Sequence, residues 1–108
     1  MIRGTTPTIT MKLPTDVAIS NDDSAIVSIE QSGKEKITKH LNIKDKPNTI
    51  TISDGNTLAV KLTEKDTLSL SAKSQAFVQL KVKTNGTVLA SFPMPMVVTD
   101  IINEEVML

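Results

Sequence analysis

Cysteine is absent from this 108-residue chain, which excludes disulfides, thiolate zinc sites and a cysteine nucleophile. That lack fits a cytosolic protein. Tryptophan and tyrosine are absent too, leaving Phe77 and Phe92 as the aromatic residues. Modules that stack bases or sugars, or that grip proline-rich peptides, depend on exposed rings. A carbohydrate-binding module is therefore disfavoured, and the core has to be aliphatic. There is no excess of charge of either sign, with 12 basic residues against 12 acidic ones and no block of either. A neutral surface exerts no pull on nucleic acid or an anionic membrane. Uninterrupted apolar runs span only a few residues, so neither a transmembrane helix nor a signal-peptide core is expected. With His40 as the single histidine, no multi-histidine metal site can form.

What is present is a period of two. Short runs of alternating apolar and polar residues recur between turn residues, the pattern of half-buried strands. "TITMKL" sets Ile9, Met11 and Leu13 on one face between Pro7 and Pro14. "AIVSIEQ" sets Val27 and Ile29 against Ile26, with "SGK" following as a turn. "EKITKHLNI" is a more polar strand around Ile37, Leu41 and Ile43. "NTITIS" and "TLAVKL" flank "DGN", a three-residue turn whose glycine takes positive φ. "AFVQLKVKT" directs Val78, Leu80 and Val82 inward and Gln79, Lys81 and Lys83 outward, with Phe77 on the outward parity under a covering loop. Asn85-Gly86 is the strongest hairpin signal, and "TVLASF" returns from it. "SNDDS" and "IKDKPN" read as solvated loops.

Pro93 and Pro95 add a topological constraint. Alternate residues of a strand direct their N–H groups to the same side, so these prolines remove two donors from one edge. "FPMPMVV" is therefore expected at a sheet edge or a bulged end, with Met94 and Met96 toward the core. The fold class expected for residues 1–108 is all-β: a single Ig-like antiparallel β-sandwich of about seven strands. One short helical turn is expected at residues 63–68, and another near the C-terminus at "DIINEE".

Candidate chemistry is sparse. Glu64, Lys65 and Asp66 gather two carboxylates and an ammonium in one turn, but Thr63 followed three residues later by Asp66 matches a loose capping box. A catalytic carboxylate pair needs two different environments to separate its pKa values, so the cluster reads as a cap. His40 lies on the polar parity, opposite Leu41, and reads as a surface histidine. "DGNTLAVKLTEK" fails as a calcium loop, with Leu58 and Ala59 at the third ligand and glycine positions and Lys65 at the final carboxylate. "NGT" matches a glycosylation sequon but reads as a turn. Lys34, Lys36 and Lys39, offset by Glu30 and Glu35, read as a solvated strand face. No catalytic, cofactor-binding or metal residue is assigned; no cofactor and no enzymatic activity are expected.

"MIRGTTPTITMKLP", "GNTLAVKLTEKDTLSL", "VQLKVKTNGTVLAS" and "VVTDIINEEV" together resemble a family of small proteins, of roughly this length, encoded in phages and prophages of Gram-positive bacteria. The similarity departs in the middle, at the longer and more polar "KHLNIKDKPNTITIS". The order of strand, "LTEKDTL" turn, "VQLKV" strand, "NG" turn and "LAS" strand also resembles the N-terminal β-sandwich module of phage upper-baseplate proteins. The resemblance implies a virion structural or assembly role, with protein partners (itself and other virion proteins), a homo-oligomer, and a location in the host cytoplasm before assembly. It carries over no catalytic residue. The partner edge expected from the asymmetric backbone pairing is Pro93, Met94, Pro95 and Met96, with the apolar residues of "MIRGTTPT" and the C-terminal "VML" as segments that order on a partner. The alternative function is a small regulatory or host-interaction protein of a mobile element, binding one protein partner through a free sheet edge.

Overall fold

The computed structural model describes residues 1–14 and 17–105. Its strands are β1 (Thr8–Lys12), β2 (Ser24–Gln31), β3 (Ile37–Leu41), β4 (Ile50–Ser53) and β5 (Thr57–Lys61). A single helical turn, α1 (Glu64–Leu68), precedes β6 (Ala76–Thr84), β7 (Thr87–Ala90) and β8 (Met94–Met96). The strands form two antiparallel sheets, one in the order β1-β5-β4 and the other in the order β3-β2-β6-β7, with β8 also paired to β6. An Ig-type sandwich packs strands ABED on a sheet built from CFG, to which variable-type domains add C′. Here β1, β5 and β4 take the places of B, E and D, while β3, β2, β6 and β7 take those of C′, C, F and G. No described strand flanks β1 in the place of A.

The alternation in the sequence becomes the two faces of each sheet. Along β6 every second residue is buried: Ala76, Val78, Leu80 and Val82. In β2 the buried set is Ala25, Val27, Ile29 and Gln31, placed directly opposite Val82, Leu80, Val78 and Ala76. The facing sheet contributes Met11, Ile50, Leu58 and Val60, and all of these belong to one aliphatic core that also takes in Leu62, Leu70 and Val98. Gln31 is the polar exception among these buried strand residues. Its amide nitrogen donates to Ser71 O (2.7 Å) and Ser74 O (2.8 Å), and its oxygen accepts from Ser71 N (2.7 Å), so the connector after α1 is tied to the end of β2.

Two expectations are corrected. "DIINEE" is not helical, because backbone and side-chain bonds to the N-terminus hold this region: Arg3 N donates to Thr99 O (2.9 Å) and Thr99 N to Met1 O (2.7 Å). The Arg3 guanidinium then binds Asp100 at 2.6 Å and also Glu104. The same bonds tie "MIRGTTPT" to its own chain, with Ile2 49% exposed; "VML" lies outside the described residues. Phe77, expected under a loop, is 40% exposed, with Pro95 as its cross-strand neighbour.

Leu58 is fully buried at the middle of this core. Leu58→Ala is expected to cost about 2–5 kcal/mol through lost burial and the cavity left behind. Val88→Ala, on exposed β7, should stay within about 0.5 kcal/mol. Urea unfolding midpoints of the two variants check the difference.

Candidate functional site

The β7–β8 edge is the surface on which the fold leaves most unfinished. The pairs Lys81↔Ala90 and Val78↔Met94 enclose two residues of β6 but three of the returning chain: Ser91, Phe92 and Pro93. This is a bulge of one extra residue. Its geometry is held from β6: Ser91 N donates to Leu80 O (2.8 Å), Leu80 N to Ser91 Oγ (3.0 Å), and the Gln79 amide to Ser91 O (2.9 Å). A one-residue shift exchanges the faces of a strand. Without it, Pro93 and Pro95 would stand opposite Val78 and Ala76 on the core side. With it, Met94 and Met96 take those places, and Met96 packs against the core.

Pro95 has no N–H to offer β6, so its pair with Phe77 is a non-hydrogen-bonded one and its vacant nitrogen faces the free edge. Upstream of the bulge the edge differs. Ser91 donates toward β6, and residues two apart point the same way, so Val88 and Ala90 turn their N–H and C=O groups outward. The edge therefore has a half that can both donate and accept, and a proline half that can only accept.

Among the described residues no strand stands in the A place, opposite the inner face of β7. Every residue of β7 is exposed. A groove of about 330 Å³ runs beside it, lined by Leu13, Pro14, Val17, Leu80, Leu89 and Phe92, among others. Phe92 is 91% exposed, Val88 52% and Leu89 41%. Leu89 and Phe92 line this groove, whereas Val88 pairs with outward Lys83 and lies on the opposite face of β7.

The other charged clusters are structural. Thr63 caps α1: its hydroxyl accepts from Asp66 N (3.0 Å) while Asp66 Oδ2 accepts from Thr63 N (2.9 Å). The same Oδ2 takes the Lys39 ammonium at 2.7 Å. Lys39 thus corrects the solvated-face expectation. It lies on the inward parity of β3 between buried Ile37 and Leu41, and its half-buried stem reaches the cap. Burial opposes the Asp66 charge, but Lys39 and the Thr63 hydrogen bonds outweigh it and hold the carboxyl below its ordinary value of 3.8. His40 is half-buried on the opposite parity, where its backbone N–H donates to Thr49 Oγ1 at 3.0 Å.

At the far end, the Arg3 Nε donates to Leu70 O (2.6 Å) and Nη2 to Leu68 O (3.0 Å), so one guanidinium joins the end of α1 to Asp100 and Glu104. Hydrogen bonds from Arg3 and from Ile101 N hold the Asp100 carboxyl below its ordinary value. Buried Thr67 accepts from Gly4 N (2.8 Å) and donates to Thr5 O (2.9 Å). Gly4 itself has a φ of +77°, which favours glycine there. Among the described residues no cluster of His, Cys, Asp and Glu could hold a metal ion, and no helix is long and apolar enough to cross a membrane.

Three of these residues, Arg3, Gln31 and Thr67, were not singled out from the sequence, and Lys39 was read only as part of a solvated face. Parity between Ile37 and Leu41 was a usable signal for Lys39. The partners of Arg3 and Gln31 lie across the fold and leave no local pattern. No protein-family model matches the chain, and no curated protein matches it.

Because Asp66 binds fewer protons folded than unfolded, its contribution is present above its unfolded pKa. That contribution is lost as pH falls through the lower, folded value. Asp66→Asn should therefore flatten the loss of stability on acidification, and Lys39→Met should reduce it. At neutral pH, Thr63→Ala should cost about 1 kcal/mol through the lost N-cap. Urea unfolding across a pH series checks this, and an unchanged acid slope in Asp66→Asn would refute it.

Proposed function

We propose that this chain is a non-enzymatic structural or assembly protein of a phage or prophage virion, of tail or baseplate type. The observation that carries the reading is the unfinished β7 edge, where Leu89 and Phe92 rim an apolar groove beside outward-facing backbone groups. The sequence resemblance supplies the biological setting. The occupant of the edge is a second copy of the chain. An antiparallel pairing of two β7 strands is self-complementary: Val88 and Ala90 of one copy bond Ala90 and Val88 of the other, with Leu89 on the two-fold axis. Thr87–Ala90 carries no charge, so two copies approach without repulsion across the strand. The prolines end the ladder after β7, which keeps the contact short and its register defined. The protein accumulates in the host cytoplasm and then enters the particle.

Light scattering of the purified chain should show concentration-dependent self-association. Leu89→Ser and Phe92→Ser should abolish it with stability changes within about 0.5 kcal/mol for these exposed sites. A strict monomer that never enters particles would contradict the proposal. A monomer captured by a single host or regulatory protein would favour the mobile-element alternative.

A further inference from the structure

The turn Asn85–Gly86 joins β6 to β7, with Thr84 and Thr87 as the flanking pair. Its φ values are +51° and +78°, the two left-handed residues of a type I′ turn. Both residues are exposed, and no atom lies within 4 Å of where a Cβ on Gly86 would sit. The Gly86 backbone nitrogen thus belongs to an exposed turn and follows directly on a side-chain amide. Asn21, Asn42, Asn48, Asn56 and Asn103 are followed by residues other than glycine, so Asn85 stands apart.

We propose that Asn85 is a site of spontaneous deamidation and that its isoaspartyl product unpins β7. The Gly86 nitrogen, losing its proton to base, attacks Cγ of Asn85. A nitrogen–carbon bond forms, the side-chain nitrogen leaves as ammonia, and a five-membered succinimide remains. Water then opens the ring at either carbonyl. One opening yields aspartate; the other yields isoaspartate, whose main chain runs through Cβ and Cγ. The balance is amide plus water to acid plus ammonia, with no oxidant or reductant.

The succinimide ring constrains the Asn85 backbone away from type I′ geometry, so closure requires the turn to open. The turn is lightly held, because β7 has four residues and all are exposed; such short, solvated edges open at low free energy. The product adds a methylene to the main chain of a two-residue loop, and the Thr84↔Thr87 and Lys83↔Val88 pairs can no longer close in register. It also takes the neutral chain to a net negative charge. The site stands whether or not the chain assembles into virions.

The test is incubation of the native full-length protein in mildly alkaline buffer, beside the same protein in urea, followed by peptide mass mapping. Native protein should gain one amide-to-acid mass change, located at Asn85 and split between aspartyl and isoaspartyl forms, more slowly than the unfolded chain. Asn85→Asp should show no gain. Native protein that stays unconverted while the urea sample converts fully, or that converts first at another asparagine, would overturn the assignment. The isoaspartyl fraction, separated by ion exchange, should show faster amide exchange over residues 87–90. Unchanged exchange there would overturn the unpinning.

Discussion

The structure rests on the antiparallel ladder between β2 and β6, which runs from Ser24↔Lys83 to Gln31↔Ala76. These are the two longest strands, and their inner side chains form one continuous aliphatic floor. With almost no aromatic residues to fill large volumes, the core depends on many small interdigitating contacts among Val, Ile and Leu. The three-stranded sheet packs onto this floor, β3 and β7 extend it on either side, and Gln31 fixes the connector that follows α1. Every other element takes its place relative to that ladder.

Sheet edges are the liability of such a design, and this chain treats them differently. On β3 an inward lysine, paired with Asp66, makes the edge costly to extend. On β8 Pro95 removes a donor, and the bulge at Ser91–Pro93 sets Met96 against the core and Pro95 outward, with Met94 40% exposed. On β7 there is no such device. Its backbone groups are open, its residues are uncharged, and its inner face has no described strand above it. Among the edges of the larger sheet, β7 is thus the one that carries none of these devices. The turn at Asn85–Gly86 closes the β6–β7 hairpin at one end of the same strand, and the Ser91 bonds to β6 hold the other.

The fold was legible where a local rule decides the outcome. Alternation in "AFVQLKVKT" placed Val78, Leu80 and Val82, the Thr63–Asp66 spacing placed the cap, and two prolines at alternate positions placed an edge. What escaped depended on partners far along the chain. Arg3 binds carbonyls and carboxylates more than sixty residues away, and no spacing in "MIRGTT" announces them. "DIINEE" carries helix-forming residues, yet tertiary bonds to the N-terminus override that weak preference. The groove beside β7 was not legible either, because Leu13, Pro14 and Val17 meet Leu80, Leu89 and Phe92 from far along the chain.

The central claim is that β7 is the surface along which this scaffold joins a neighbour. The most direct measurement is amide hydrogen exchange at Val88 and Ala90, compared between the isolated chain and the chain in assembled particles. Those two amides should exchange freely in isolation and become protected on assembly, while the amides of β8 change little. Equal exchange in the two states, or protection confined to another edge, would contradict the account.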